Sequence, residues 1–261
     1  MAEYNKIGVN YNLNRSADPR IVKRLINFTG VKENAKILDI GAGTGNYTNE
    51  LADYGCMVDA IEPSQLMIDQ AKTHTNVNWF KSSIEAIDLQ KNCYDGAIST
   101  LAVHHFISLE VALSNIYKAL KKNRHFVIFG ADPRQIDDNC WLKAYFGNLI
   151  DKAVEAYLEI SQLIQLLESI FQNKVKYKPF PVPFDVADGF FYAGWQQPEK
   201  YLDENFRNNI SVFTKAPDKC IQESVEKLAL DLKNGAWDKK YGATRNLKVY
   251  NGGYYFLKAT K

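Results

Sequence analysis

Three glycines alternate at Gly41, Gly43 and Gly45, an acidic residue, Glu62, closes a later apolar run, and two histidines stand side by side at His104 and His105. Glycines at that spacing let the backbone turn through positive φ and bring its N–H groups against a ligand with no Cβ in the way. A carboxylate at the end of a neighbouring strand is placed to accept hydrogen bonds from a ribose diol. A neutral imidazole titrates near working pH and can take a proton from a hydroxyl or an amine. The combination describes a nucleoside-bearing ligand held beside a group able to move a proton.

The elements that must position these residues follow from hydrophobic patterning. The glycine loop lies between a strand at Lys36–Ile40 and a helix at Asn46–Tyr54. Further on come a strand at Met57–Ile61, a helix at Ser64–Lys72 that Ser64 can cap, a short strand at Asn78–Phe80 and a buried strand at Asp95–Ser99. A helix at Ser108–Leu120 and a strand at Arg124–Gly130 complete the series. Upstream, Asp18 as N-cap, Pro19 at the first helical position and Gly30 beyond the end bound a helix with Ile21, Val22, Leu25, Ile26 and Phe28 on one face. Strands alternating with helices predict βαβ units, a parallel sheet and right-handed crossovers. Ligands of such sheets sit beyond the carboxyl ends of the strands, where His104 and His105 fall. Adjacent residues on an extended stretch point to opposite sides, so one histidine at most is expected to face the ligand.

Beyond residue 131 the pattern changes. Asn139–Phe171 reads as largely helical, and Lys174–Phe180 alternates as a sixth strand would. Pro179, Pro181 and Pro183 then break the backbone ahead of an aromatic stretch, Phe184, Phe190, Phe191, Tyr192 and Trp195, interspersed with Asp185 and Asp188. Two readings of that stretch stay open: a lid over the ligand site made mobile by Gly189 and Gly194, or a satellite core between the insert and the sheet. Glu199–Trp237 reads as helical again, and Tyr250-Asn251-Gly252-Gly253-Tyr254 is a turn signal between two alternating runs. Either Lys174–Phe180 or Arg245–Tyr250 can pair with the last strand. The former is favoured because a helix feeds straight into it. The expected division is an N-terminal cap at 1–30, a cofactor-binding core at 31–135, and the rest of the same domain at 136–261. Within that last part an acceptor lid is expected at about 181–240 and the last strand at about 253–259.

Bulk properties set limits. The 261 residues carry 46% hydrophobic and 24% charged side chains with a net charge of +2, which is globular and too balanced for bulk attraction to nucleic acid or a membrane. No apolar run is long enough to span a bilayer, and the stretch Met1–Lys6 lacks the apolar region of a signal peptide. Cys56, Cys93, Cys140 and Cys220 lie far apart with no Cys-x-x-Cys pair, so free thiols and a cytoplasmic setting are expected and a cysteine metal site is not. Asp132, Asp137 and Asp138 are expected to form a surface acidic turn rather than a metal site, and no metal is expected. Ser99-Thr100-Leu101-Ala102 stands where enzymes acting on flipped bases carry Asn-Pro-Pro-Tyr, and no basic stripe with interleaved aromatics marks an RNA groove.

A dinucleotide fingerprint is Gly-x-Gly-x-x-Gly, whereas here the third glycine comes one residue early and Asn46 stands in its place. Several motifs stand in order. They are Ile37-Leu38-Asp39-Ile40-Gly41-Ala42-Gly43-Thr44-Gly45, Ile61-Glu62-Pro63-Ser64, Ser82-Ser83-Ile84-Glu85, and Tyr94 to Ser99 running into Val103-His104-His105-Phe106. Over about residues 1–130 the chain resembles the class I S-adenosylmethionine-dependent methyltransferases, within the methyltransferase type 11 group that includes ubiquinone and menaquinone biosynthesis enzymes. The resemblance implies an α/β Rossmann-like fold, a mostly parallel seven-stranded sheet with helices on both faces, followed by a helical, aromatic-bearing C-terminal insertion. It implies S-adenosylmethionine as cofactor, with Gly41 and Gly43 on its methionine part, Glu62 on its ribose, Ser64 and Met67 near its adenine, and Ser83 and Ile84 along the adenine edge. Asp39, Ala42, Gly45, Pro63, Thr100 and Leu101 complete the expected cofactor set. Many relatives carry Asp at the position of Ser83, and a neutral serine accepts a weaker hydrogen bond.

Tyr4 to Arg15 resembles the cap over the cofactor in such enzymes. Tyr11 would face the sulfonium and Arg15 the cofactor carboxylate, the other reading being packing and solvation. His104 and His105 are the candidate general bases, or else wall residues, because methyl transfer asks mainly for in-line positioning. The expected activity is methyl transfer to O, N or C of a small-molecule acceptor in secondary or cofactor metabolism, by a monomer or homodimer. Two rivals stay open: an NAD(P)-dependent oxidoreductase, and a catalytically silent S-adenosylmethionine-binding protein.

Overall fold

Apolar runs with largely continuous burial form the heart of the sheet, β1 (Lys36–Ile40), β2 (Met57–Ile61), β4 (Tyr94–Thr100) and β5 (Leu120–Ala131), with the half-buried β3 (Val77–Phe80) parallel at its edge. The computed structural model describes residues 15–261 apart from Asp138, Ala156 and Asn209. With β6 (Lys176–Pro179) and β9 (Tyr254–Thr260) the strands make a seven-stranded sheet in the order β3-β2-β1-β4-β5-β9-β6. β9 runs antiparallel to both neighbours, pairing Phe256 with Phe129 on one side and with Lys178 on the other. Lys174–Phe180 therefore contains the partner of the last strand, as expected.

Side chains alternate across the sheet and feed two cores. Phe126 and Ile128 of β5 join Leu38 and Ile40 beneath α4 (Leu109–Ala119) and α6 (Ile160–Phe171). Val127 and Phe129 face the other way, with Ile37 and Phe256, into a core with α1 (Pro19–Thr29), α2 (Asn46–Asp53) and α5 (Trp141–Val154). Helices on both faces thus fix the sheet and leave the carboxyl ends of its strands as the open rim. α1 has the predicted caps: Asp18 accepts from the Arg20 N–H at 2.9 Å, and Gly30 takes φ 66° beyond its end.

Three elements differ from expectation. α3 (Gln65–Ile68) stops well short of Lys72, and Ser64 makes no side-chain cap bond. Beyond it, Thr73 and Thr75 favour helix poorly, and the His74 ring takes the Asn76 N–H at 3.0 Å, an alternative to a helical bond. The glycine turn at 252–253 joins no hairpin. β8 (Val249–Tyr250) pairs instead with β7 (Val182–Pro183) as a separate two-stranded ribbon. Gly253, at φ 75°, sits so close to the Asp132 carbonyl that a Cβ would lie 2.4 Å from its oxygen. The chain dives past that carbonyl rather than folding back. Glu199–Trp237 is broken into α7 (Glu204–Arg207), α8 (Ser211–Thr214), α9 (Asp218–Lys233) and α10 (Ala236–Tyr241), with Pro217 and Gly235 (φ 76°) at breaks. Among the described residues no helix is long and apolar enough to cross a membrane.

Candidate functional site

The β1–α2 loop turns through positive φ at Gly41 (71°), Gly43 (59°) and Gly45 (78°). A Cβ at Gly41 would lie 2.4 Å from the Ala102 Cβ, and one at Gly45 would lie 2.8 Å from the Trp79 ring. The loop is tied to β2 by the N–H groups of Gly41 and Ala42, which donate to the Ile61 carbonyl at 2.9 and 3.1 Å. The next residue, Glu62, is buried. Its Oε2 accepts from the Gly43 N–H at 3.0 Å and its Oε1 from the Ser64 N–H at 2.8 Å. Burial raises the Glu62 carboxyl above its ordinary range, against the pull of those two bonds.

Asp39 lies under the loop, buried, with Thr48 Oγ1 donating to its Oδ2 at 2.7 Å. Burial pushes its carboxyl up to about 7; the Thr48 bond opposes this and the nearby Glu62 charge adds to it. On the adjoining side, Asn115 Nδ2 donates to the Ile84 carbonyl at 3.1 Å, and Glu85 Oε1 accepts from the Ile107 N–H at 2.8 Å, which holds the 82–85 loop against α4. At the end of β4, Leu101 sits at φ 53° with its N–H on the Phe129 carbonyl at 2.7 Å. A branched aliphatic residue in that region costs about 1–2 kcal/mol, and such strain concentrates at functional sites.

The histidines do not lie on extended chain. Val103–His105 is a turn of 3₁₀ helix, in which successive side chains rotate by a third of a turn. Both rings therefore face one space, their centroids 3.9 Å apart, and His104 stacks on Tyr157 at 4.3 Å and 20°. Burial, with the charges of His105 and Lys215, holds His104 well below the ordinary histidine range, so its imidazole is neutral at physiological pH.

These parts converge on a cavity of about 450 Å³ at the carboxyl ends of the strands. Of the expected cofactor residues, Gly41, Gly43, Glu62, Pro63 and Met67 line it, as do Ser83, Ile84, Thr100, Leu101 and Arg15. Asp39, Ala42, Gly45 and Ser64 do not, and act on the lining from behind. Tyr11 lies outside the described residues. The far wall includes Tyr254, from the turn signal at 250–254, and residues that the sequence did not single out: Ile136, Ile150, Tyr157 and Val212. These four belong to no motif, and Tyr157 stands in a connection between two helices, so only tertiary packing brings it to His104.

The aromatic stretch divides between its two readings. Phe190, Phe191 and Tyr192 line the cavity, Trp195 is fully buried with its carbonyl on Trp141 Nε1, and Phe184 is 44% exposed. Gly194 is a packing glycine rather than a hinge, since a Cβ there would lie 2.7 Å from the Tyr201 ring. Arg15 gives Nε and Nη2 to the two carboxylate oxygens of buried Asp188, which also accepts from the Tyr47 hydroxyl at 3.0 Å. Its guanidinium is thus committed to the 185–188 loop, where Ser16 Oγ also donates to the Ala187 carbonyl at 2.8 Å. Asp132 is a buried cap rather than part of a surface turn: it accepts from the Arg134 and Ile160 N–H groups at 3.0 and 3.2 Å.

Comparison with known proteins places this geometry. A family model for a methyltransferase domain matches residues 38–128. A solved structure from Anabaena variabilis, provisionally described as a methyltransferase from an antibiotic biosynthesis pathway, shares 36% identity over 95% of this chain and 99% of that one, with a TM-score of 0.90. Among curated proteins, a provisionally described methyltransferase of Dictyostelium discoideum is 33% identical over 39% of this chain and 38% of its own length. The sterol 24-C-methyltransferase of Saccharomyces cerevisiae is 27% identical over 38% of this chain and 28% of its own. The chain thus spans about a third of the length of these curated relatives.

Proposed function

The chain belongs to the class I S-adenosylmethionine-dependent methyltransferases, and on that premise we propose that it methylates a small-molecule acceptor seated over the carboxyl ends of β4, β5 and β9. The observation that carries this reading is Glu62. Its buried carboxylate lines the cavity with each oxygen already held by one backbone N–H, which leaves further lone pairs for a ribose diol. Such preset acceptors lose little ordering entropy on binding.

Bound S-adenosylmethionine supplies a methyl group on a sulfonium, and the departing carbon–sulfur pair stays on sulfur. The chain's own residues orient and screen. Gly41 and Gly43 bring bare backbone against the methionine part, Pro63 and Met67 flank the adenine, and Ser83 and Ile84 form its edge. Ser64 contributes through its N–H on Glu62 rather than by contact, and Asp39 holds the first turn of α2 through Thr48. Thr100 and Leu101 floor the junction of the two ends. His104 and His105 stand at the acceptor side, where a neutral imidazole can accept the proton that a methylated hydroxyl or amine sheds. The pairing of residues 15–18 with 185–188 supports reading the N-terminal segment as a cap and the aromatic segment as part of a lid. The yeast relative is named for a sterol acceptor, which supports the small-molecule class. Calorimetric titration tests the reading: S-adenosylmethionine and S-adenosylhomocysteine should each bind saturably at one site per chain and compete with each other. No saturable binding of either would overturn it.

A further inference from the structure

The cavity's two ends differ in charge. Among the described residues, its charged lining residues other than histidine are Glu62, Glu85 and Arg15. Glu62 and Glu85 belong to the end built by β2 and the 82–85 loop, and both are engaged by backbone N–H groups. Arg15 is neutralised by Asp188 through two hydrogen bonds. The opposite end, beyond β5 and β9, is walled by Ile136, Ile150, Phe190 and Val212 and offers polar atoms through Tyr157, Ser211, Tyr254 and His104. Burial keeps these groups uncharged at neutral pH: the Tyr157 phenol is pushed up to about 12, Tyr254 is raised well above its ordinary value, and His104 is lowered. Flat rings face that space, His104 on Tyr157 and Phe190 against Tyr254, each pair at 4.3 Å. Lys152 and Lys215 line only a smaller adjoining cavity behind His104 and Tyr157, and both are exposed to water.

We propose that the acceptor is an uncharged, largely apolar, ring-bearing molecule that presents a hydroxyl to His104. The inference rests on the methyl-donor reading of the neighbouring end. Among the described residues, an ammonium group would enter beside the donor's sulfonium while the Glu62 and Glu85 carboxylates stand at the donor end, each already engaged by backbone N–H groups, and a carboxylate would find no cation in the lining but Arg15, which Asp188 holds. A hydroxyl is satisfied by a neutral imidazole and loses little on leaving water. In the transfer, a lone pair of the acceptor oxygen forms the oxygen–carbon bond as the carbon–sulfur bond breaks with its pair staying on sulfur. The hydroxyl proton passes to a ring nitrogen of His104. A weak base suffices, because oxygen bearing both the methyl group and the proton is far more acidic than an imidazolium.

The test is a binding series on one skeleton: cinnamyl alcohol, cinnamylamine and cinnamate, titrated calorimetrically into the protein with and without S-adenosylhomocysteine. The alcohol should bind at least about tenfold tighter than either ion. Equal or tighter binding of the amine or the carboxylate, or no binding of the alcohol, would overturn the proposal. Ser211→Asp, at a polar lining position, should move the ranking about tenfold toward the amine by adding a negative charge there. An unchanged ranking in that folded variant would place the ligands elsewhere and also overturn it. Titration of S-adenosylhomocysteine into the same samples judges the donor site separately, since the ranking is read with the donor site empty as well as filled.

Discussion

The two ends of the cavity are built from different material. The donor end is local in sequence and backbone-rich: three stretches, 39–45, 61–67 and 82–85, supply N–H groups, carbonyls, glycines and two carboxylates held by backbone N–H groups. The acceptor end draws on 131–136, 150–157, 190–192, 210–212 and 252–254, and among the described residues its walls are side chains without net charge. A ligand common to many enzymes can be held by a short run of backbone, because backbone geometry is independent of neighbouring side chains. A ligand peculiar to one enzyme is shaped by side chains that the tertiary fold gathers from afar. The two ends also titrate in opposite senses, with Asp39 raised at one and His104 lowered at the other.

The largest effect is expected where the N-terminal segment meets the acceptor end. Asp188→Ala removes the buried carboxylate that pairs with the Arg15 guanidinium and accepts from the Tyr47 hydroxyl, and should destabilise the fold by about 3–5 kcal/mol in chemical denaturation. A loss below about 1 kcal/mol would show that the clasp adds little. At the donor end, Gly41→Ala combines a left-handed φ with overlap of Ala102 and should cost roughly 2–4 kcal/mol, with loss of cofactor affinity. A variant of normal stability would mean that the loop relaxes freely.

The opposed titrations give a third test. Unfolded, Asp39 ionises near its ordinary 3.8, whereas folded it keeps its proton to about pH 7. The folded state therefore binds more protons in that window, and Asp39's stabilisation is full below it and lost as pH rises through it. Asp39→Asn should gain on wild type by about 2–4 kcal/mol between pH 4 and 7.5. A pH-independent difference would contradict the assignment. His104 has the other sign: its contribution is complete above about pH 6.5 and is lost as pH falls below that value. The smallest effect serves as a control on the first. Asp185, on the same loop, has its side chain 56% exposed and pairs with Arg20 at 2.6 Å, so Asp185→Ala should stay within about 1 kcal/mol of wild type.

The same division governs what could be read from sequence. β1 and β2 match their predicted bounds residue for residue, and the sheet and the glycine loop with Glu62 were legible, because central parallel strands are apolar runs punctuated by glycine. The histidines were placed in the right region and in the wrong geometry, since nothing local distinguishes a 3₁₀ turn from an extended stretch at Val103–His105. Tyr157, Ile150 and Val212 carried no signal, because their place in the wall is decided by how the insert folds back over β5 and β9. The Gly252–Gly253 turn misled for the same reason: its glycines answer to Tyr192 and Asp132, residues distant in the chain. Arg15 lines the cavity, while its partner, Asp188, lies beyond any local pattern.

The most direct test of the central claim is the affinity of S-adenosylmethionine for Glu62→Ala, measured calorimetrically beside wild type with folding checked by thermal melting. Loss of charge-assisted hydrogen bonds to a ribose diol predicts weakening by about ten- to a hundredfold in a protein that still folds. Unchanged affinity would contradict the assignment of Glu62, and with it the donor end of the cavity.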